Sequence, residues 1–212
     1  MALSILSIGA EAVLEKVTLG SLVLIRKTRV PKGYRHPDLD ARLRGERLGR
    51  EARLMHAAKT HGVLTPLVYL IDVRKSAIYM TFIPGERLKH FLLKKHPASQ
   101  KTAYCAQFGR MIATLHTHGM VHGDLTTSNV MVPFPSKTKP GNLVMIDFGL
   151  AFHSRKIEDL AVDLVNLKKT FSATHSTFPE GWTAIQQAYV DHGGKKAVLD
   201  QMEAVEKRIR YA

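Results

Sequence analysis

A chain of 212 residues with 45% hydrophobic and 23% charged side chains has enough apolar material for one large domain or two small lobes, which argues against disorder. Lysine and arginine total 31 against 18 acidic side chains, a formal charge of +13 that favours a polyanionic partner. One cysteine excludes an intrachain disulfide and a cysteine-based zinc cluster, and no apolar run nears the roughly 18 residues of a membrane span, so a soluble cytoplasmic protein without membrane contact is expected.

Taken in order, short alternating or apolar runs predict strands over residues 4–8, 12–19 and 22–27, separated by Gly9 and Gly20. Residues 32–43 are basic and turn-rich, and Pro31 and Pro37 exclude a continuous helix there. A helix is expected over 47–60, with Leu48, Ala52 and Met55 on one stripe and Gly62 just beyond its end. Strands over 67–71 and 77–82 follow. After Pro84 and Gly85 the pattern turns helical, over 88–95 and 102–118. Strands over 130–132 and 143–146 flank a proline-rich loop, and helices are expected over 159–170, 183–189 and 195–209. The expected class is α+β: a β-rich lobe over residues 1–83 and a helical lobe over residues 84–212.

The strongest chemical signal is HGDLTTSN, residues 122–129, followed 18 positions after Asn129 by Asp147-Phe148-Gly149. Together they resemble the H-x-D-x-x-x-x-N and D-F-G motifs of protein kinases. Asp124 stands where a carboxylate meets the acceptor oxygen, and Asn129 and Asp147 supply the hard oxygen ligands that Mg²⁺ prefers. A lone D-F-G occurs by chance in buried turns. Two motifs in this order, each beside an apolar strand, form a bilobal kinase-like pattern.

Such a fold needs a strand lysine and a helix glutamate in its first lobe. Glu51 shares the inward stripe with Leu48 and Met55, and Lys27 ends the run LVLIRK. Strand alternation does not separate Lys27 from Arg29, because both lie on one face. A phosphate-covering turn is expected at Gly9, Ala10 and Glu11, although one glycine replaces the three of the G-x-G-x-x-G pattern. Adenine is expected at the hinge residues Met80, Thr81, Phe82 and Ile83. Thr126 stands where protein kinases usually have a lysine, no A-P-E follows, and only nine residues, 150–158, precede the next helical pattern. That leaves little surface for a substrate peptide.

The blocks GAEA (9–12), PKGYRHPDLDARL (31–43), REARL (50–54), HGDLTTSN, IDFGLAF (146–152) and EDLAVDL (158–164) resemble the small atypical kinase of the KEOPS/EKC complex, the Bud-type or PRPK family, related to the RIO kinases. The resemblance runs from about Gly9 to Phe171. It implies a Mg²⁺-dependent ATPase and weak serine/threonine kinase that uses ATP in tRNA threonylcarbamoylation at adenosine 37 of ANN-decoding tRNAs. It implies as partners the threonylcarbamoyl transferase subunit, a small helical subunit on the N-lobe, and tRNA through the complex. In a eukaryote the nucleus joins the cytoplasm as its location. Carried over by position, Lys27 pairs with Glu51, Asp124 is the catalytic carboxylate, Asn129 and Asp147 bind Mg²⁺, and Asp163 bonds backbone around the catalytic loop. The chain departs from the family in its tail, KRIRYA in place of R-x-x-G-R-K-R, and in a hinge without an acidic residue. Two other readings compete: an aminoglycoside-type small-molecule phosphotransferase, whose acceptor needs a larger helical lobe, and a non-catalytic scaffold, which needs none of Lys27, Glu51, Asp124, Asn129 and Asp147.

Overall fold

The computed structural model describes residues 2–9, 11–134 and 141–210. The chain divides into two compact units, Met1–Ala57 with Thr65–Ile83 and Ala58–Leu64 with Pro84–Ala212. The folded elements are α+β, as expected.

The first unit is built on strands β1 (Ala2–Ile8), β2 (Ala12–Leu19), β3 (Leu22–Arg29), β4 (Val68–Asp72) and β5 (Ala77–Thr81), paired antiparallel in the order β1-β2-β3-β5-β4. Leu19 pairs with Leu22 across a two-residue turn, and Gly20 there has a φ of +61°, the left-handed backbone such hairpins require. The register sets Lys27 opposite Leu14 on one side and Ile78 on the other. Helix α1 (Pro37–Thr60) contributes buried Leu48, Ala52 and Met55, while the sheet contributes Val17, Leu24, Ile78 and Met80.

Here the sequence expectation fails in one respect. The helix starts ten residues earlier than Arg47, and Pro37 is its first residue. A proline at this position loses nothing, since the first helical N–H groups have no partner and the ring presets φ. Asp38 and Asp40 then sit in the first turn, where the helix dipole favours carboxylates. Arg44 donates to Asp40 at 2.7 Å one turn on.

The second unit is mainly helical. After β6 (Gly85–Arg87) come α2 (Leu88–Leu93), α3 (Ala98–Thr117), β7 (Met120–Val121), β8 (Val130–Pro133), β9 (Val144–Met145), β10 (Phe152–His153), α4 (Ile157–Thr174), α5 (Pro179–Asp191) and α6 (Lys196–Arg210). Strands β6, β8 and β9 form one small antiparallel sheet, and β7 pairs with β10. Helices α3 and α5 cross closely at Gly109, where a Cβ would lie 2.3 Å from the Ile185 carbonyl oxygen. Helix α6 buries Val198, Met202 and Val205; the side chain of Ile209 lies outside the described residues. Strands β6, β7 and β10 escape sequence reading because two or three residues carry no periodicity.

Candidate functional site

Within the first unit, Glu51 projects from α1 between two cations of β3. Lys27 Nζ donates to Glu51 Oε1 at 2.7 Å, and Arg29 Nη2 donates to Oε2 at 2.6 Å. All three side chains are buried. The choice that strand alternation leaves open between Lys27 and Arg29 is resolved by both residues pairing with Glu51. Each oxygen of the Glu51 carboxylate thus holds one buried cation of β3. Arg26, on the opposite face of β3, instead makes a two-point pair with Glu15 at 2.7 Å on each arm.

The turn between β1 and β2 is closed by Gly9, whose N–H donates to the Ala12 carbonyl at 2.9 Å. That amide is therefore engaged inside the turn. Glu11 is exposed and pairs with Lys32 at 3.4 Å and Arg47 at 3.2 Å. Ala10 lies outside the described residues. Of the hinge residues, Met80 is buried in β5, the Thr81 N–H donates to Leu67 O at 2.9 Å, and the Phe82 N–H donates to Val23 O at 3.3 Å. The Ile83 N–H has no such backbone partner among the described residues.

Within the second unit, the loop after β7 is fixed by backbone bonds to one buried carboxylate. Asp163 of α4 accepts from the His122 N–H at 2.8 Å and the Gly123 N–H at 2.9 Å. Gly123 is required here: its φ is +78°, and a Cβ would lie 2.4 Å from the Leu150 carbonyl oxygen. His122 Nδ1 accepts from the Asp124 N–H at 3.3 Å, which puts its proton on Nε2, facing the Ile146 carbonyl at 3.3 Å. Residues Thr127–Asn129 form a 3₁₀ turn, and the Asn129 amide nitrogen donates both to Asp124 Oδ2 at 2.8 Å and to Asp124 O at 2.9 Å. The amide oxygen of Asn129 is left to accept a cation. The Ile146 N–H donates to Asn129 O at 2.9 Å, tying the strand before Asp147 to this loop. Asp147 itself has a φ of +63°, a strained value for a residue with a side chain. Its carboxylate accepts from the Gly149 N–H at 3.2 Å. Among the described residues no cluster of three or more His, Cys, Asp or Glu suits a metal, while the Asn129 amide oxygen and the Asp147 carboxylate are oxygen donors that could hold a hard cation.

Three features escape the sequence reading. His116 Nδ1 lies 3.1 Å from the Tyr189 hydroxyl, and its Nε2 lies 3.4 Å from Asp163 Oδ2, so the loop-holding carboxylate is itself backed by a buried pair. Burial and the neighbouring Asp163 charge push the Tyr189 hydroxyl's pKa well up, so it stays protonated. Thr127 and His175 share a third buried contact. Their spacing in sequence, 47 to 73 residues, leaves no local pattern to read.

A family model for the RIO domain matches residues 41–180. A KEOPS complex subunit Bud32 from Pyrococcus abyssi is 39% identical over 89% of this chain and 84% of its own length. The chain belongs to the Bud32 branch of the RIO family. An EKC/KEOPS complex subunit bud32 from Dictyostelium discoideum is 35% identical over 97% of the chain and 82% of its own length. A probable bifunctional tRNA threonylcarbamoyladenosine biosynthesis protein from Methanosarcina mazei is 39% identical over 98% of the chain, which spans 36% of that longer protein. The Rio2 kinase of Chaetomium thermophilum, solved as an ADP/Mg²⁺-phosphoaspartate complex, superposes over the whole chain with a TM-score of 0.64 at 15% identity, covering 72% of that structure. The last likeness shows the kinase-like fold; the Bud32 relatives show the branch.

Proposed function

We propose that this Bud32-type chain is a Mg²⁺-dependent ATPase and atypical serine/threonine kinase, acting as the kinase subunit of a KEOPS/EKC complex in threonylcarbamoylation of adenosine 37 in ANN-decoding tRNAs. The observation that carries the reading is the clasp of Asn129 on Asp124 inside a loop held by Asp163. Asp124 would take the proton of the attacking hydroxyl or water as its oxygen bonds the γ-phosphorus and the bond to the β–γ bridging oxygen breaks, releasing ADP. Lys27, oriented by Glu51, meets the α- and β-phosphates of ATP, and Arg29 adds positive charge to the same cluster. The donor set fits Mg²⁺: one amide oxygen and one carboxylate are hard ligands, and two protein ligands suit an ion that keeps water and phosphate oxygens. When bound, the ion offsets charge on the phosphates. At the hinge, the Ile83 amide is the donor best placed to meet adenine, since those of Thr81 and Phe82 are engaged. The basic surplus of +13 supports approach to tRNA, in company with the transferase subunit and a small helical subunit on the first lobe. The expected location is the cytoplasm, with the nucleus added in a eukaryote.

The test is MgATP hydrolysis by the purified chain, alone and with the threonylcarbamoyl transferase subunit plus tRNA. Turnover that rises with both supports the reading, and turnover indifferent to both detaches the chain from tRNA modification. Alanine at Lys27 or at Asp147 is expected to abolish turnover; unchanged rates in both variants would overturn the site.

A further inference from the structure

Asp163 holds the leading end of the loop, at His122 and Gly123. Its far end carries another buried contact. Thr127 opens the 3₁₀ turn that finishes at Asn129, and its hydroxyl shares a hydrogen bond of 3.0 Å with His175 Nε2. His175 caps α4, the helix that also bears Asp163. Its N–H donates to Phe171 O at 2.7 Å, its carbonyl accepts from the Phe178 N–H at 2.9 Å, and its ring lies 4.8 Å from that of Phe171. The ring is 2% exposed, and its Nδ1 has no hydrogen-bond partner among the described residues. Burial, with Lys89 and Lys101 nearby, pushes the pKa of this imidazole down to about 4. A buried nitrogen without a partner costs stability that an apolar ring of the same size would not. What the imidazole adds over such a ring is the bond to Thr127.

We propose that Thr127 and His175 form a second latch on this loop and are positioning residues for Asn129. The inference rests on the function proposed above. With Asp163 fixing one end and His175 the other, both ends of the loop are tied to one helix, and the short turn between Thr127 and Asn129 cannot rotate on its own. Releasing the Thr127 end frees the turn, and the Asn129 amide oxygen loses its fixed direction. Asp124 keeps its backbone tether to His122, and its carboxylate is clasped by the Asn129 amide, so an ion that holds Asn129 at saturation restores the clasp and the loss falls on the requirement for the ion.

Thr127→Val removes the hydroxyl at constant shape, Thr127→Ser restores it, and His175→Phe removes the other partner. Amide hydrogen exchange over residues 122–130 of the ligand-free protein is expected to speed up about fivefold in Thr127→Val, the loss of one modest buried bond. The Mg²⁺ concentration for half-maximal ATP turnover should rise about fivefold, with kcat at saturating Mg²⁺ within about twofold of the parent. Thr127→Ser should behave as the parent, and the double variant should be no worse than the worse single one. Unchanged exchange in Thr127→Val, equal impairment in Thr127→Ser, or effects that multiply in the double variant would overturn the latch. If His175→Phe does not fold, the comparison of valine with serine at position 127 decides alone. A parent chain without ATP turnover would sink the proposed function, while the exchange arm still tests the latch.

Discussion

In the first unit, Glu51 lies between Lys27 and Arg29, and its geometry is set by charge. In the second, Asp124 and Asp147 stand on loops shaped by backbone N–H groups, with Asp163, His122 and Asn129 receiving or making the bonds. The two solutions respond differently to damage. A buried ion cluster gains little net stability over an apolar one, yet removing one member leaves the others buried without compensation. A loop held by several neutral or charge-assisted bonds loses one bond at a time, and its shape degrades before its stability does.

The largest expected effect falls on the chemistry of the second unit. Asp124→Asn keeps an acceptor for the Asn129 amide but removes the base, so steady-state ATP turnover should fall by about 10²–10⁴-fold with the melting temperature nearly unchanged. A turnover loss below tenfold would assign the proton to another group. The largest stability effect falls on the first unit. Glu51→Ala removes the buried carboxylate that both Lys27 and Arg29 bond and should cost about 3–5 kcal/mol in urea unfolding. Restoring most of that by combining it with Arg29→Met would attribute the cost to like-charge burial.

Asp163→Asn is the matched change in the second unit. It weakens two charge-assisted bonds without leaving a cation stranded, so about 1.5–3 kcal/mol is expected, with turnover falling further than stability alone accounts for. A cost above that of Glu51→Ala would reverse the contrast between the units. A smaller, pH-dependent term comes from His175. Its ordinary pKa of 6.5 in the unfolded chain drops to about 4 in the fold, so protons bind the unfolded chain more readily. Its contribution is complete above pH 6.5 and is lost as pH falls towards 4, by about 1–3 kcal/mol. Unfolding midpoints between pH 7.5 and 4.5 test this, and His175→Gln should flatten the profile.

Much of this was legible in sequence for a physical reason. The loop residues 122–129 and the triplet 147–149 are contiguous, and their side chains act within one short turn, so order along the chain carries their geometry. Glu51 could be placed because helical period put it on the stripe of Leu48 and Met55. The choice between Lys27 and Arg29 could not be made because residues two apart on a strand share a face, and the structure uses both. The start of α1 was obscured by Pro37, which reads as a helix breaker in the interior and as a helix opener at the first position. The supports behind the loop, His116 with Tyr189 and Thr127 with His175, join residues far apart in the chain and leave no periodic trace.

The single cysteine, Cys105 on α3, is fully buried, and burial pushes its thiol up to about 12. Thiol reagents attack the ionised form, so at neutral pH both access and ionisation are closed in the folded chain. The native protein thus carries an internal stopwatch: the rate at which a maleimide or disulfide reagent labels Cys105 counts how often α3 opens. Nucleotide or a partner that clamps the second unit will slow that count, with no label engineered and no residue changed.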